Sequence, residues 1–455
     1  MKKLDIKESL RIKVFNEKLR RNLRRKKLLR VKQKGTLNKS VLKDRMIELS
    51  LLTAITSLNP SRSLRSQKKL AVKIPKVFSL FHCTDEVLEL ITRTAYLHRS
   101  KRLKEIEIDH SDCEENDLAA EVLLSGIIKA LRSNRKKSGK TARAHGYLSA
   151  ENEFINRLIK SIGLVRELAR KRHKLENLKE NRISLFRADS LIHEKPNQKK
   201  PMEVDRKNRA TSRLANHLNK SINSIDKKLK EDSISFLIEY IGELIDNAEE
   251  HSGKNIWRCY GYLDSIKTAG GMLKSEIVVL NYGKSIYETF IEKSGSPSVW
   301  KFIDQYLQGL NETRDNKTLV TIAALRKFIS SKKDESTTRG RGTWSVIETF
   351  HRISKAWQAE LGGTQTDYIP EMIIVSGEVA VRFTPELIIK SIESIDYSSD
   401  KHASEKYVVA FNETNDPLKK PDKRFVYSLK YPFPGTIVSI KFPVATTLTE
   451  AVTHD

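Results

Sequence analysis

The chain has 455 residues, 38% of them apolar, and carries 84 Lys and Arg against 57 Asp and Glu for a net charge of +27. That apolar share suffices for ordinary cores in two or three domains, while the absence of any run of eighteen apolar residues argues against a membrane-spanning helix. Cys83, Cys113 and Cys259 are scattered and none sits in a Cys-x-x-Cys pair, which argues against a zinc ribbon or a disulfide framework; with no apolar signal-peptide core, a cytoplasmic protein is expected.

The charge is unevenly spread. Residues 1–45 hold 18 Lys/Arg against 4 Asp/Glu, densest at Arg20-Arg21-Asn-Leu-Arg24-Arg25-Lys26-Lys27. Residues 1–58 are predicted to be a basic helical extension with interleaved leucines. Such a cluster attracts nucleic acid or another polyanion without reading sequence; a solvated basic helix, or one docked on an acidic partner, has the same composition. Phe15 is the one aromatic in the cluster's surroundings, so a base-stacking platform is not expected.

Asn59-Pro60-Ser-Arg-Ser breaks that pattern, and a compact α/β unit follows over about 70–172. Lys76 to Phe81 has the composition of a strand, Asp85 to Leu97 that of an amphipathic helix. Glu105-Ile-Glu-Ile-Asp109 alternates as a strand does, and Asp117 to Leu131 and Ala150 to Arg172 are predicted helices. Residues 173–210 are highly charged and contain Pro196 and Pro201, so the linker is placed there. The second folded unit is expected over 211–446.

That unit opens with Glu243-Leu-Ile-Asp-Asn247-Ala-Glu-Glu250-His251. Ile234, Leu237, Ile238, Ile241, Leu244, Ile245 and Ala248 recur at helical spacing and form one apolar stripe. At about 100° per residue, Glu243, Asn247 and Glu250 fall roughly opposite it. A charged helix back is ordinarily a solvated one. A carboxylate that can activate water and an amide oxygen four residues on that can hold Mg²⁺ are also what transfer of a terminal phosphate needs.

Ile256 to Leu263 is a predicted strand. Glu276-Ile-Val-Val-Leu-Asn281-Tyr-Gly283 is a buried strand ending in a polar residue and a glycine, where Asn281 could hydrogen-bond a base edge and Gly283 permits close approach of a ligand. Ser336-Thr-Thr-Arg339-Gly340-Arg341-Gly342-Thr343 precedes an amphipathic helix through Trp344, Val346, Ile347 and Phe350, a pattern suited to cradling phosphate on backbone N–H groups. Gly435-Thr436 through Phe442 alternates as a terminal strand.

In this order the pieces resemble the ATP-binding domain shared by DNA gyrase, histidine kinases, mismatch-repair ATPases and anti-sigma-factor kinases, the GHKL superfamily, over roughly 211–446. The Glu-x-x-x-Asn-Ala-x-x-His spacing is most similar to the N-box of the anti-sigma kinases. The resemblance implies an α+β two-layer sandwich that binds ATP and Mg²⁺. It makes Glu243 the general base and Asn247 the Mg²⁺ ligand, with Glu250 and His251 beside them. Asn281 and Gly283 would form the adenine box, Arg339, Gly340, Arg341 and Gly342 the lid's glycine box, and Gly435-Thr436 the start of the last strand. The family's adenine box opens with Asp and has a second glycine; here Asn281 and Ser285 stand at those places. In the lid, Thr343-Trp344 replaces the usual Leu-Gly, and about fifty residues, including a helical insertion over Ser298 to Leu307, separate Gly283 from the lid.

Residues 74–172 resemble, through Ile106-Glu-Ile-Asp109-His-Ser111 and Asp117-Leu-Ala-Ala-Glu-Val-Leu-Leu124, the STAS domain of anti-sigma-factor antagonists. Leu118 and Ala119 stand where that family carries its phosphorylated Ser, so the likeness implies a non-phosphorylatable interaction domain. The expectation for the whole chain is a Mg²⁺-dependent ATPase whose lid closure or dimerisation signals to a protein partner. A Ser/Thr or histidine kinase, although His173 lacks the acidic and proline neighbours of a phosphoacceptor, and a nucleic-acid-binding scaffold acting through the basic arm are the alternatives.

Overall fold

The computed structural model describes residues 68–97, 103–137, 142–149, 151–162, 183–190, 206–223, 240–249, 256–267, 272–292, 297–325, 342–361, 368–387 and 406–444. A few shorter pieces, 50, 52–53, 227–228, 253, 389–392 and 447–448, complete it. The architecture is mixed α/β, and none of the described helices is long and apolar enough to cross a membrane.

The first unit alternates strand and helix: β1 (Lys69–Lys73), β2 (Val77–Phe78), α1 (Thr84–Tyr96), β3 (Glu105–Asp109), β4 (Glu115–Asn116), α2 (Leu118–Lys137), β5 (Arg143–Tyr147) and α3 (Glu153–Ile162). β1, β3 and β5 form a parallel sheet in that order, as parallel neighbours joined by crossover helices must. The first strand lies earlier than expected. Lys-Leu-Ala-Val-Lys alternates over 69–73 and buries Val72, Pro75 follows it, and only Val77–Phe78 of the expected Lys76–Phe81 strand pairs, with β4. α3 matches the expected Ala150–Arg172 helix as far as Ile162; the rest lies outside the described residues.

The expected linker contains a strand, which corrects the boundary. β6 (Ile183–Asp189) pairs with the strand Ile256–Lys267 and forms one edge of the large sheet, and α4 (Arg206–Asn223) starts five residues before the expected second unit. Ile183, Phe186 and Ala188 are buried while Arg187 and Asp189 are not. Charged side chains are common on edge strands, and they hid this seven-residue strand inside a charged window.

The remaining elements are β7 (Lys227–Lys228), α5 (240–249), β8 (Ile256–Lys267), β9 (Leu273–Tyr282), α6 (Ile286–Ile291), α7 (Pro297–Gly309), α8 (Lys317–Ala324), α9 (Gly342–Leu361), β10 (Glu371–Phe383), β11 (Ile389–Ile392), β12 (Lys406–Val409), β13 (Val426–Val444) and β14 (Thr447–Leu448). The large sheet is antiparallel throughout, in the order β10-β13-β9-β8-β6.

Both faces of that sheet are covered, so every residue of β9 but Lys274 is buried, with the apolar run Ile277–Leu280 at its centre. Leu273, Ile277 and Val279 of β9 point to a front core with Leu214 of α4, Tyr240, Ile241, Leu244 and Ile245 of α5, and apolar residues of α7, α8 and α9. Val278, Leu280 and Tyr282 point to a back core made with α1, α2 and α3. The helices of the first unit therefore lie between the small sheet and the large one. α1 packs on β13 and α2 on β8 and β9, so the first unit has no separate core.

Polar contacts hold the same junction. The Glu276 carboxylate on β9 accepts from the backbone N–H of Leu118 at 2.8 Å and of Ala119 at 3.3 Å, closing the N-terminus of α2, and Ser439 of β13 donates to it at 2.8 Å. Arg157 of α3 donates to Asp264 of β8 at 2.9 Å. Glu371 of β10 is paired with Arg382 and Lys441, with His82 of the first unit 3.7 Å away.

Candidate functional site

α5 is amphipathic as its periodicity predicts. Ile241, Leu244, Ile245 and Ala248 are at most 6% exposed, and Glu243 and Asn247 are half-buried one turn apart. Three strands of the sheet bring a polar row beneath this helix. Trp257 of β8 is the cross-strand partner of Asn281 of β9, which is in turn the partner of Thr436 of β13. The alternation of β9 puts Asn281 on the same face as Ile277 and Val279, the face that packs against α5. Trp257 Nε1 donates to Glu249 Oε1 of α5 at 2.7 Å, which fixes the last turn of the helix over the row.

The end of β9 is tightly constrained. Gly435 has φ +140°, and a Cβ there would lie 2.0 Å from the carbonyl oxygen of Asn281, so only glycine lets the two strands approach. Gly283 has φ +145° and donates its N–H to Pro434 O at 3.1 Å. Ser285 caps α6, accepting from the N–H of Glu288 while Glu288 accepts from that of Ser285, a reciprocal capping box. Ile286 N–H donates to Ser376 Oγ, and Ser376 Oγ lies 2.8 Å from Thr436 Oγ1. Asn281, Thr436, Ser376 and the start of α6 thus meet in one place.

Of the residues singled out from sequence, Asn281, Gly283 and Thr436 come together where β9 and β13 pair, and Glu243 and Asn247 lie on α5, whose apolar stripe packs on the same face of the sheet. Gly342 is the first residue of α9, as expected for a helix that starts on the glycine-rich segment. Glu250, His251, Arg339, Gly340 and Arg341, and Arg20, Arg21, Arg24, Arg25, Lys26 and Lys27 of the basic arm, lie outside the described residues. Sequence reasoning missed Trp257, Glu249 and Ser376. The spacing Ser285-Ile-Tyr-Glu288 could have revealed the capping box; nothing in the local pattern marks Ser376, which is positioned by a bulge beside Gly377.

Electrostatically the back face differs from the front. Burial and the neighbouring Asp117 carboxylate push Glu276 up to about 8. The hydrogen bond to Glu115 and the nearby Glu371 carboxylate push His82 up to about 9, while Glu371, with His82, Lys441 and Arg382 around it, is held down to about 2 despite its burial. Burial alone pushes the Cys259 thiol on the front face up to about 12, so it is a core residue rather than a nucleophile. Glu105, Glu107 and His145 also cluster on the small sheet, but Lys69 Nζ lies 2.9 Å from Glu107 and supplies the counter-charge.

Compared with models of protein families, with curated proteins and with solved structures, the chain shows no match.

Proposed function

We propose that the front face of the large sheet is a Mg²⁺–ATP site and that the chain hydrolyses ATP. The observation that supports this reading is that α5, which carries Glu243 and Asn247 one turn apart, packs on the same side of the sheet as the Trp257–Asn281–Thr436 row, with Glu249 accepting from Trp257. A base edge can be read by the Asn281 amide, whose oxygen accepts from an exocyclic amino group. A neutral amide gives up the charge assistance that a carboxylate would bring to that bond.

The donor set on α5 fits a hard cation. One carboxylate and one amide oxygen lie a turn apart on a half-buried helix face, and Mg²⁺ takes oxygen ligands, only one or two of them from protein. Asn247 would hold it, and when bound it neutralises charge on the phosphates. Glu243 would orient and deprotonate the attacking water. The start of α9 offers backbone N–H groups suited to phosphate. Arg339 and Arg341 precede that start in sequence and would add charge to the lid.

The test is steady-state ATP hydrolysis by purified protein with Mg²⁺. Wild type is expected to turn over and Glu243→Ala to bind nucleotide without turnover. Equal turnover in both would remove Glu243 as the base. Label passing from the γ-phosphate to protein rather than to water would indicate a kinase.

A further inference from the structure

The helix α4 is strongly basic. Its eighteen residues, Arg-Lys-Asn-Arg-Ala-Thr-Ser-Arg-Leu-Ala-Asn-His-Leu-Asn-Lys-Ser-Ile-Asn, contain five Arg or Lys and no carboxylate. At about 100° per residue, Arg206, Arg209, Arg213, Asn216 and Lys220 fall within an arc of about 80°. Ala210, Thr211, Leu214 and Ala215, on the other side, are buried, and Leu214 packs beside Gly261 of β8. Ser212, Arg213 and Asn216 are exposed, and helical spacing sets Arg206, Arg209 and Lys220 on the same side of the helix as Arg213 and Asn216. It is about 21 Å long at about 1.5 Å per residue.

The charge order works against the helix itself. Arg206, Lys207 and Arg209 occupy its N-terminal turn, where the macrodipole favours anions, and no acidic residue stands within that turn. Asp205, just before it in sequence, sets one negative charge against three positive ones. An external anion along this face would relieve that cost and gain the N-terminal N–H groups as well. We propose that the solvent face of α4 binds the phosphate backbone of duplex nucleic acid without reading sequence. Three observations select this partner. The apolar face of α4 is already packed in the core and cannot enter a lipid surface. The stripe has no aromatic residue on which a single strand could stack. Four cations and an asparagine repeating every three or four residues suit a linear array of phosphates rather than a single anion. Such binding does not require the ATP site.

The test is binding of the full chain to a short mixed-sequence duplex DNA across a salt series. Three variants are compared: R206Q/R209Q/R213Q/K220Q, the charge-keeping R206K/R209K/R213K, and the basic-arm variant R20Q/R21Q/R24Q/R25Q/K26Q/K27Q. The slope of log affinity against log salt is expected to fall by about 0.9 for each phosphate that is no longer neutralised, roughly 3.6 for the first variant. The second should keep its slope. Thermal unfolding of the first should stay at or above that of wild type, because repulsion in the first turn is removed. If that variant fails to fold, Arg213→Gln alone is expected to lower the slope by about 0.9. An unchanged slope, no binding of wild type at low salt, loss of binding in the basic-arm variant alone, or preference for anionic vesicles over DNA would each overturn the proposal.

Discussion

Gly435 shows how a single position ties backbone geometry to the candidate site. The next residue, Thr436, faces Asn281, and the gap that a Cβ would fill is taken by the Asn281 carbonyl. Gly435→Ala is therefore expected to lower stability by about 2 kcal/mol or more, through strain at φ +140° and displacement of β9. Denaturant unfolding checks this, and a variant as stable as wild type would contradict the close approach. At this scale the sequence is informative where a residue type has one use. The carboxylate and amide of α5 and the glycines at strand ends can be picked out directly. Trp257 and Ser376 cannot, because an indole in an apolar strand and a serine at a bulge acquire their roles only from cross-strand neighbours.

Among the elements, the junction between the first unit and the large sheet makes the sharpest claims. Glu276 supplies the acceptors for two N–H groups of α2 in a buried place. Glu276→Leu should cost at least about 1–3 kcal/mol, since buried donors are left unmet, and the same denaturant assay reads it. The junction also predicts a pH dependence. His82, raised from its ordinary value to about 9, contributes stability that is complete below about 6.5 and is lost as pH rises through 9. Glu276, raised to about 8, holds its proton longer when folded, so its contribution also falls as pH rises from the ordinary carboxylate range to 8. Stability should decline between pH 6.5 and 9, less steeply in His82→Gln; a flat profile would contradict the ion cluster. Sequence periodicity identifies α1, β3, α2, β8 and β9 closely. It misses β6 and β10, the first drowned by charged flanks and the second interrupted at Ser376-Gly377-Glu378, where the register shifts.

For the molecule as a whole, the two units share the back core, with Ile106 and Val87 in the same cluster as Val278 and Ile373. Composition suggests domains joined by a charged linker; the packing shows a first unit that covers one face of the second unit's sheet. A shared core unfolds as a unit, so calorimetry should show one cooperative transition for both. Two well-separated transitions would mean that the junction contributes little. β9 and β13 carry Glu276, Ser439 and Lys441 on their back face, a few residues from Asn281 and Thr436 on the front.

The most direct test of the central claim is calorimetric titration of Mg²⁺–ATP into wild type and Asn247→Ala. Binding by wild type with loss in the variant, both having the same unfolding profile, is the predicted result. Equal binding by the two proteins, or none by wild type, would contradict the site.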